Sequence, residues 1–331
     1  MRRTLSMLAI GVCANALMSL SALAQAAPEV TLTRLDCGTS AAPTDVGLRF
    51  SDTYAYNGLK VQLVFSCYLI KHGDDYMVWD SGHSMSAGAV APKASLVDLL
   101  GQLKLKPEQV KYIGISHYHG DHIGQVDSFA KSTLLIGKGD WDVLTDPKMS
   151  AVANPATFTN WVSGGGKVEP VPVDKDVFGD GTVLMINTPG HTPGHHSLLV
   201  KLPQMGPVLL SGDLTHFHEN YEGSGVPTFN TDRAATLASI DRFKKIAANV
   251  KATVVIQHDA RPRQTAGIPG CGEVIAAPSP RLRGEGRGDP HPTLPRVRGR
   301  VGWGDHALIT TPFTARPQSC FAHPDGASRR P

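Results

Sequence analysis

The side chains best suited to chemistry are bunched. Ser116-His117-Tyr118-His119-Gly120-Asp121-His122 sets three imidazoles and a carboxylate within six positions, directly after a short apolar run at 112–116. Imidazole and carboxylate together make a donor set of borderline hardness, suited to zinc. A surface histidine cluster would have the same composition, so the rest of the chain decides. His191 sits in the rigid turn Thr188-Pro189-Gly190-His191-Thr192-Pro193-Gly194 after the apolar run 183–187. Asp213 follows Val208-Leu209-Leu210, and His258 closes Val254-Val255-Ile256-Gln257. Four strand ends thus deliver His or Asp to what could be one edge of the sheets, and strand ends are where α/β folds carry their sites.

Positioning these groups takes a scaffold of strands and helices. The runs 61–70 and 76–80 flank the turn Gly73-Asp74-Asp75 and predict a hairpin. Leu96, Val97, Leu99, Leu100 and Leu103 have helical spacing, predicting a helix over 95–103 that ends before Pro107. Further strands are expected at 112–116, 133–136, 167–173, 183–187, 197–202, 208–210 and 252–257. A helix is expected over 231–250, capped by Asn230 or Thr231, with Leu237, Ile240 and Phe243 on one face. Two blocks of strands, each with helices, predict an α/β domain over 27–260 built as two face-to-face sheets with helices outside. Pro- and Gly-rich loops at 147–166 and 219–230 are candidate lids.

The order of the polar residues also matches a known pattern. HxHxDH reads as His117-x-His119-x-Asp121-His122, followed by His191, Asp213 and His258, and His191-Thr192-Pro193-Gly194-His195-His196-Ser197 is similar to HTPGHxS. On these residues the chain, over about 30–260, resembles the metallo-β-lactamase superfamily and, within it, the N-acyl-homoserine lactonase group. The resemblance implies an αββα sandwich of two mixed sheets and a dinuclear zinc site. His117, His119 and His191 would hold one ion, Asp121, His122 and His258 the other, and Asp213 would bridge them. Manganese, iron or cobalt would also suit the set. Asp80, in Val78-Trp79-Asp80-Ser81-Gly82, matches the family's DxG turn and is expected to orient ligands from behind.

The implied reaction is the opening of a lactone ring by a hydroxide shared between the ions, with Asp121 as proton shuttle to the leaving alkoxide. Lactonases of this group often carry a tyrosine three residues after the bridging aspartate; here that position is His216. His216 either donates to the substrate carbonyl in its place or packs under a loop, and Tyr221 is a second candidate for reaching in. Phosphotriesterases and other ester hydrolases keep all seven ligands and share this reading. True β-lactamases with HxHxDH generally lack the bridging aspartate, so Asp213 argues against that activity. Thioesterases of the glyoxalase II kind keep the seven but suit export less. A redox diiron relative would have glutamate at His119. His72, His83, His195, His196 and His218 have no family metal role, and the ordinary reading for each is structural or exposed.

Both ends of the chain stand apart from this domain. Arg2 and Arg3, the apolar run 8–20 and the small-residue sites Ala22-Leu23-Ala24 and Ala24-Gln25-Ala26 predict a secretory signal peptide over 1–26. An uncleaved anchor is the alternative, which the short run and the cleavage site disfavour. Export to the periplasm or medium is therefore expected, with no membrane attachment after cleavage. Residues 261–331 hold 11 Pro, 10 Gly and 11 Arg and no Lys, whereas 27–260 hold 15 Lys and 4 Arg. That break predicts a disordered tail of separate coding origin, a frameshift or read-through, rather than a basic nucleic-acid-binding arm. His291, His306 and His323 lie in it. On this reading the gene product could also be a metal-binding but inactive one. Without tail and leader the body has 19 basic and 24 acidic residues, so no nucleic-acid partner is expected and a small lactone or ester is. Cys37 and Cys67 are the pair to expect in a disulfide under export, with free buried thiols as the alternative.

Overall fold

Apolar side chains along 64–79 alternate between two destinations: Cys67, Leu69 and Val78 go to one cluster, Tyr68, Ile70, Met77 and Trp79 to another. This is the period of a strand buried on both faces. The computed structural model describes residues 28–149, 153 and 155–261, with the backbone of 272–275. The chain divides into two units, Met1–Arg281 and Leu282–Pro331, and all described residues lie in the first.

Its strands are β1 (Val30–Thr39), β2 (Thr44–Asp45), β3 (Lys60–Val61), β4 (Val64–His72), β5 (Asp75–Trp79), β6 (Val110–Ile115), β7 (Thr133–Gly137), β8 (Val168–Val171), β9 (Lys175–Asp176), β10 (Val183–Asn187), β11 (His196–Leu202), β12 (Gly206–Leu210), β13 (Thr253–Val255) and β14 (Gly272–Ile275). The helices are α1 (Leu96–Gln102), α2 (Gly120–Ile123), α3 (Lys138–Thr145), α4 (Thr159–Val162), α5 (His218–Gly223) and α6 (Arg233–Val250).

One sheet runs β14-β1-β4-β5-β6-β7-β8, the other β13-β12-β11-β10-β9, and β2 pairs with β3. Both are mixed: β5 to β8 are parallel while β1, β4 and β5 alternate, and β12–β13 is the parallel pair of the second sheet. Between them lies a core that includes Ile70, Met77 and Trp79 from one sheet and Met185, Leu198, Val200 and Leu210 from the other. Outside the first sheet Leu96, Leu99 and Leu100 of α1 pack on Val78, Ile113 and Leu134. Outside the second, Ile240, Phe243 and Ala247 of α6 pack on Leu199, Leu209 and Val254. Each such side chain contributes about 1.5–3 kcal/mol on burial. The expected αββα sandwich is the observed one.

Several local expectations need correction. α6 is capped by Asp232, whose side chain accepts from Ala235 N at 2.8 Å, not by Asn230 or Thr231. Leu237 is only half-buried, while Thr236 and Ser239 complete the inward face. The expected strand 61–70 is two elements: β3 pairs with β2 and β4 with β1 and β5, with Gln62 and Leu63 between them. β8 and β10 stand in different sheets, so the chain crosses the sandwich between them. β1 and α3 were not anticipated. The loop 219–230 begins with a helical turn, α5, and 147–166 contains α4.

Cys37 and Cys67 form a disulfide tying β1 to β4. No helix among the described residues is long and apolar enough to cross a membrane. The leader 1–26 lies outside the described residues, as does the tail apart from Arg261 and β14.

Candidate metal centre

All seven expected ligand residues converge on one edge of the sandwich. β6 ends at Ile115, and the chain beyond it carries His117, His119 and the single-turn helix α2 with Asp121 and His122. The β10–β11 turn brings His191, the turn after β12 brings Asp213, and the exit from β13 brings His258.

Two groups of donor atoms result, His117, His119, His191 and Asp213 in one, Asp121, His122, Asp213 and His258 in the other, each with its atoms within 4.8 Å of one another. In the first, His117 Nε2, His119 Nδ1 and His191 Nε2 form a triangle with edges of 2.9, 3.0 and 3.1 Å. A ring nitrogen is either donor or acceptor, so three of them cannot satisfy all three edges with hydrogen bonds. Such a triangle fits three lone pairs aimed at a common cation. Asp213 joins both groups: Oδ2 lies 3.5 Å from His191 Nε2, and Oδ1 lies 2.8 and 3.1 Å from Nε2 of His258 and His122. His122 Nε2 and Asp213 Oδ1 are nonetheless buried without an aligned hydrogen bond, as atoms awaiting a different partner would be.

The far sides of the rings set their tautomers. His191 Nδ1 donates to Asn230 Oδ1 at 2.8 Å, His258 Nδ1 to Val64 O at 2.9 Å, and His122 Nδ1 to Asp80 Oδ2 at 2.9 Å. Each Nε2 lone pair therefore faces inward, the arrangement that orients imidazole on a metal. Asp80 also accepts from Ser116 N and Oγ at 2.7 and 2.8 Å. It is fully buried in the left-handed region at φ 57°, held there by these bonds. Behind it, Gly82 at φ 63° lies so close to the disulfide that a Cβ would stand 2.4 Å from Cys37 Cβ.

Burial pushes His117, His119 and His191 below the ordinary histidine range, keeping them neutral and able to coordinate. His122 and His258 are also buried, but the carboxylates of Asp213 and Asp121 outweigh that and hold them above it. Despite burial, the surrounding imidazoles hold Asp213 well below the usual carboxylate range, with His258 foremost. A cation entering here takes over the positive charge that protons otherwise supply.

Sequence reasoning missed three positioning residues. Asn230 holds His191. Asp140, from α3, accepts from Tyr118 N at 3.2 Å, Thr192 Oγ1 at 2.9 Å and Gly194 N at 2.6 Å, clamping both ligand loops together. His195, read as merely structural or exposed, is buried and accepts from Asp213 N. The partners through which they hold the ligand loops lie 18 to 54 positions away, and no motif marks them.

A cavity of about 400 Å³ opens over the donor groups, walled by Phe50, Leu63, Phe65 and Phe229 with Arg49 at the side. His216 lines it, stacks on His258 and points Nε2 to within 3.3 Å of Asp213 Oδ2, while Asn220 Oδ1 holds its backbone N–H. It faces the site rather than packing away from it. Tyr221 does not reach the cavity; it belongs to the apolar cluster with Phe243 and Ile240. The lid expected at 219–230 supplies Phe229 to the wall. Elsewhere, His72 pairs with Asp180, His83 packs edge-on against Phe65, His196 contacts two backbone carbonyls and His218 pairs with Asp259. His291, His306 and His323 lie outside the described residues.

Residues 64–258 match the family described as the metallo-beta-lactamase superfamily. The N-acyl homoserine lactonase AttM of Rhizobium radiobacter is 29% identical over 236 residues, 61% of this chain and 84% of that protein. An N-acyl homoserine lactonase from a Bacillus species is 30% identical over 210 residues, 58% of this chain and 80% of that protein. A solved structure of a B. thuringiensis AiiA variant with N-decanoyl-L-homoserine bound at the active site aligns with a TM-score of 0.58 at 25% identity, over 70% of this chain and 94% of that one.

Proposed function

The chain belongs to the metallo-β-lactamase superfamily, and on that footing we propose that it is an exported dinuclear zinc hydrolase that opens the ring of N-acyl homoserine lactones. The observation that carries this reading is Asp213, whose two oxygens serve two separate donor groups at the floor of an apolar-walled cavity. The relatives named as lactonases support the substrate class. The Cys37–Cys67 disulfide supports an oxidising compartment and hence export.

His117, His119, His191 and Asp213 would hold one ion; Asp121, His122, Asp213 and His258 would hold the other. Such ions supply a nucleophile from water at neutral pH and polarise the substrate carbonyl. The protein's own groups do the rest. The phenyl rings of Phe50, Phe65 and Phe229 exclude water and seat the acyl chain. His216, which lines the cavity beside Asp213, would contact the carbonyl oxygen in the place a tyrosine hydroxyl could fill. Asp121, whose side chain is 22% exposed, borders the cavity, takes up the proton released by the attacking water and passes it to the leaving alkoxide.

Residues 27–331 loaded with zinc should open short- and long-chain N-acyl homoserine lactones, and Asp213→Ala should lose both metals and turnover. An Asp213→Ala protein with full zinc and activity would overturn the ligand assignment. About two bound metals without lactone opening would redirect the reading to phosphotriesters or other esters, which the same donor set can serve.

A further inference from the structure

Five arginines fall among the described residues, and four of them are committed to partners. Arg34 Nε donates to Ser66 Oγ at 2.8 Å, Arg233 pairs with Asp52, Arg242 with Asp174, and Arg261 with Glu219 and Asp259. Arg49 is the exception. Its guanidinium makes no ion pair or hydrogen bond with any described residue, and its charge meets only a ring, Cζ standing 5.0 Å from the centroid of Phe229.

The position is nonetheless set by the fold. Arg49 lies in the loop between β2 and β3, and its carbonyl accepts from Thr228 N at 2.8 Å and Thr228 Oγ1 at 3.3 Å. Phe229 comes next in the chain and seats the guanidinium, and Asn230 after it accepts from His191 Nδ1. Three successive residues thus place Arg49, its aromatic seat and a candidate ligand. On the other loop, Phe50 packs edge-on against His216 with centroids 4.9 Å apart. The Phe229 ring is 5.8 Å from those of both His191 and His216. The cation therefore stands one side chain away from the donor groups, at the side of the cavity above them.

A ring offers the charge a π face but no lone pair, so the N–H donors of Arg49 remain to be used. Hydrocarbon laid against them would strip the cation of water without return, whereas an oxygen acceptor replaces the water it displaces.

We propose that Arg49 is a specificity residue that donates to the amide oxygen of the substrate's acyl group. The proposal rests on the lactonase reading above and deepens it: lactones with an acylamino group beside the reacting carbonyl are preferred to lactones of the same shape without one. In an N-acyl homoserine lactone the amide is attached to the ring carbon next to the carbonyl that is attacked. It lies one side chain's breadth from the donor groups, as Arg49 does. A hydrogen bond to a charged donor is worth about tenfold or more.

The test compares N-hexanoyl homoserine lactone with α-heptyl-γ-butyrolactone, in which methylenes replace the amide N–H and carbonyl and the chain keeps its length. The kcat/KM of each is measured in the zinc-loaded wild type, in Arg49→Met, which keeps an apolar stem at an exposed position, and in Arg49→Lys. Calorimetric titration with the two ring-opened products, which share carboxylate and hydroxyl, gives a readout independent of turnover. From wild type to Arg49→Met the ratio of amide to hydrocarbon substrate should fall about tenfold, in kinetics and in binding alike, and Arg49→Lys should recover part of it. A ratio unmoved in Arg49→Met overturns the proposal. Equal slowing of both lactones does so too, since Arg49 would then act only by holding its loop. A wild type that opens neither lactone strikes the functional reading instead. Arg49 is then judged on the titrations alone: an amide advantage lost in Arg49→Met sustains its role, and no such loss overturns it.

Discussion

His195 Nε2 accepts the backbone N–H of Asp213 at 3.0 Å, while its Nδ1 is within 3.1 Å of Thr188 O. The carbonyl can only accept, so Nδ1 carries the proton and Nε2 the lone pair. Burial pushes this histidine down to about 3, so it stays neutral and keeps that tautomer. The bond fixes the turn from which both oxygens of Asp213 spread to the two donor groups. His195→Leu keeps the volume but removes the acceptor, and should weaken metal binding about 10–100-fold. Chelator competition measures this, and an unchanged affinity in a folded variant would refute the positioning role.

Asp140 acts on the site at one more remove. Its three hydrogen bonds join the loop that carries His117 and His119 to the turn that carries His191. Asp140→Ala leaves buried donors unpaired, each costing about 1–3 kcal/mol, so a loss of at least about 3 kcal/mol is expected in denaturant unfolding. Asp140→Asn retains one acceptor oxygen and should recover part of it. Equal stability of the alanine variant and the parent would show the clamp to be idle.

These two residues also mark where the sequence stopped being legible. The ligands could be read because each stands just past an apolar run, in a spacing that few other functions require. The αββα layering could be read from strand and helix periodicity. Asp140 could not, since a buried carboxylate in Lys138-Gly139-Asp140 has the same local signature as a solvent-exposed turn. That same composition hid α3. Asn230 had the local signature of a helix cap, yet it holds His191, and Asp232 caps α6 instead. β1 was hidden because Thr, Arg and Asp interrupt its apolar residues, and because a bulge between Asp36 and Thr39 breaks its register. What was lost in each case was a partner distant in sequence, and only the fold supplies it.

The disulfide links stability to the site. Cys37 and Cys67 are 30 residues apart, and closing such a loop restricts the unfolded chain by about 3–4 kcal/mol in the entropic account. The bridge also packs against Gly82, the end of the turn in which Asp80 holds His122 and Ser116. The Cys37→Ser, Cys67→Ser double variant should therefore lose about 2–4 kcal/mol and bind metal more weakly. Urea unfolding with and without reductant tests the first part, and chelator competition the second. A parent whose midpoint ignores reductant would contradict the first, and a destabilised variant with parental metal affinity the second.

Asp259, directly after His258, anchors the chain just past the last candidate ligand through charged hydrogen bonds. Its buried side chain accepts from His218 N and Nδ1 at 2.9 and 2.6 Å and from Arg261 Nη2 at 2.6 Å, and Arg261 also pairs with Glu219. Although burial opposes it, hydrogen bonds from Arg261 and His218 hold Asp259 well below the usual carboxylate range. Its folded value lies below its unfolded one, so the stability it contributes is present above about pH 4 and is withdrawn as the pH falls further. Arg261→Ala should cost about 1–2 kcal/mol near neutrality, at the lower end because the guanidinium is partly exposed and screened. Without the guanidinium that offsets burial, the carboxyl titrates higher, and acid unfolding of the variant should begin at higher pH. Once the pH is low enough to protonate Asp259 in both proteins, their melting temperatures should converge. A gap between parent and variant that stays constant from neutral to acid pH would mean that Arg261 acts through packing alone, and that the carboxylate beside His258 owes it nothing electrostatic.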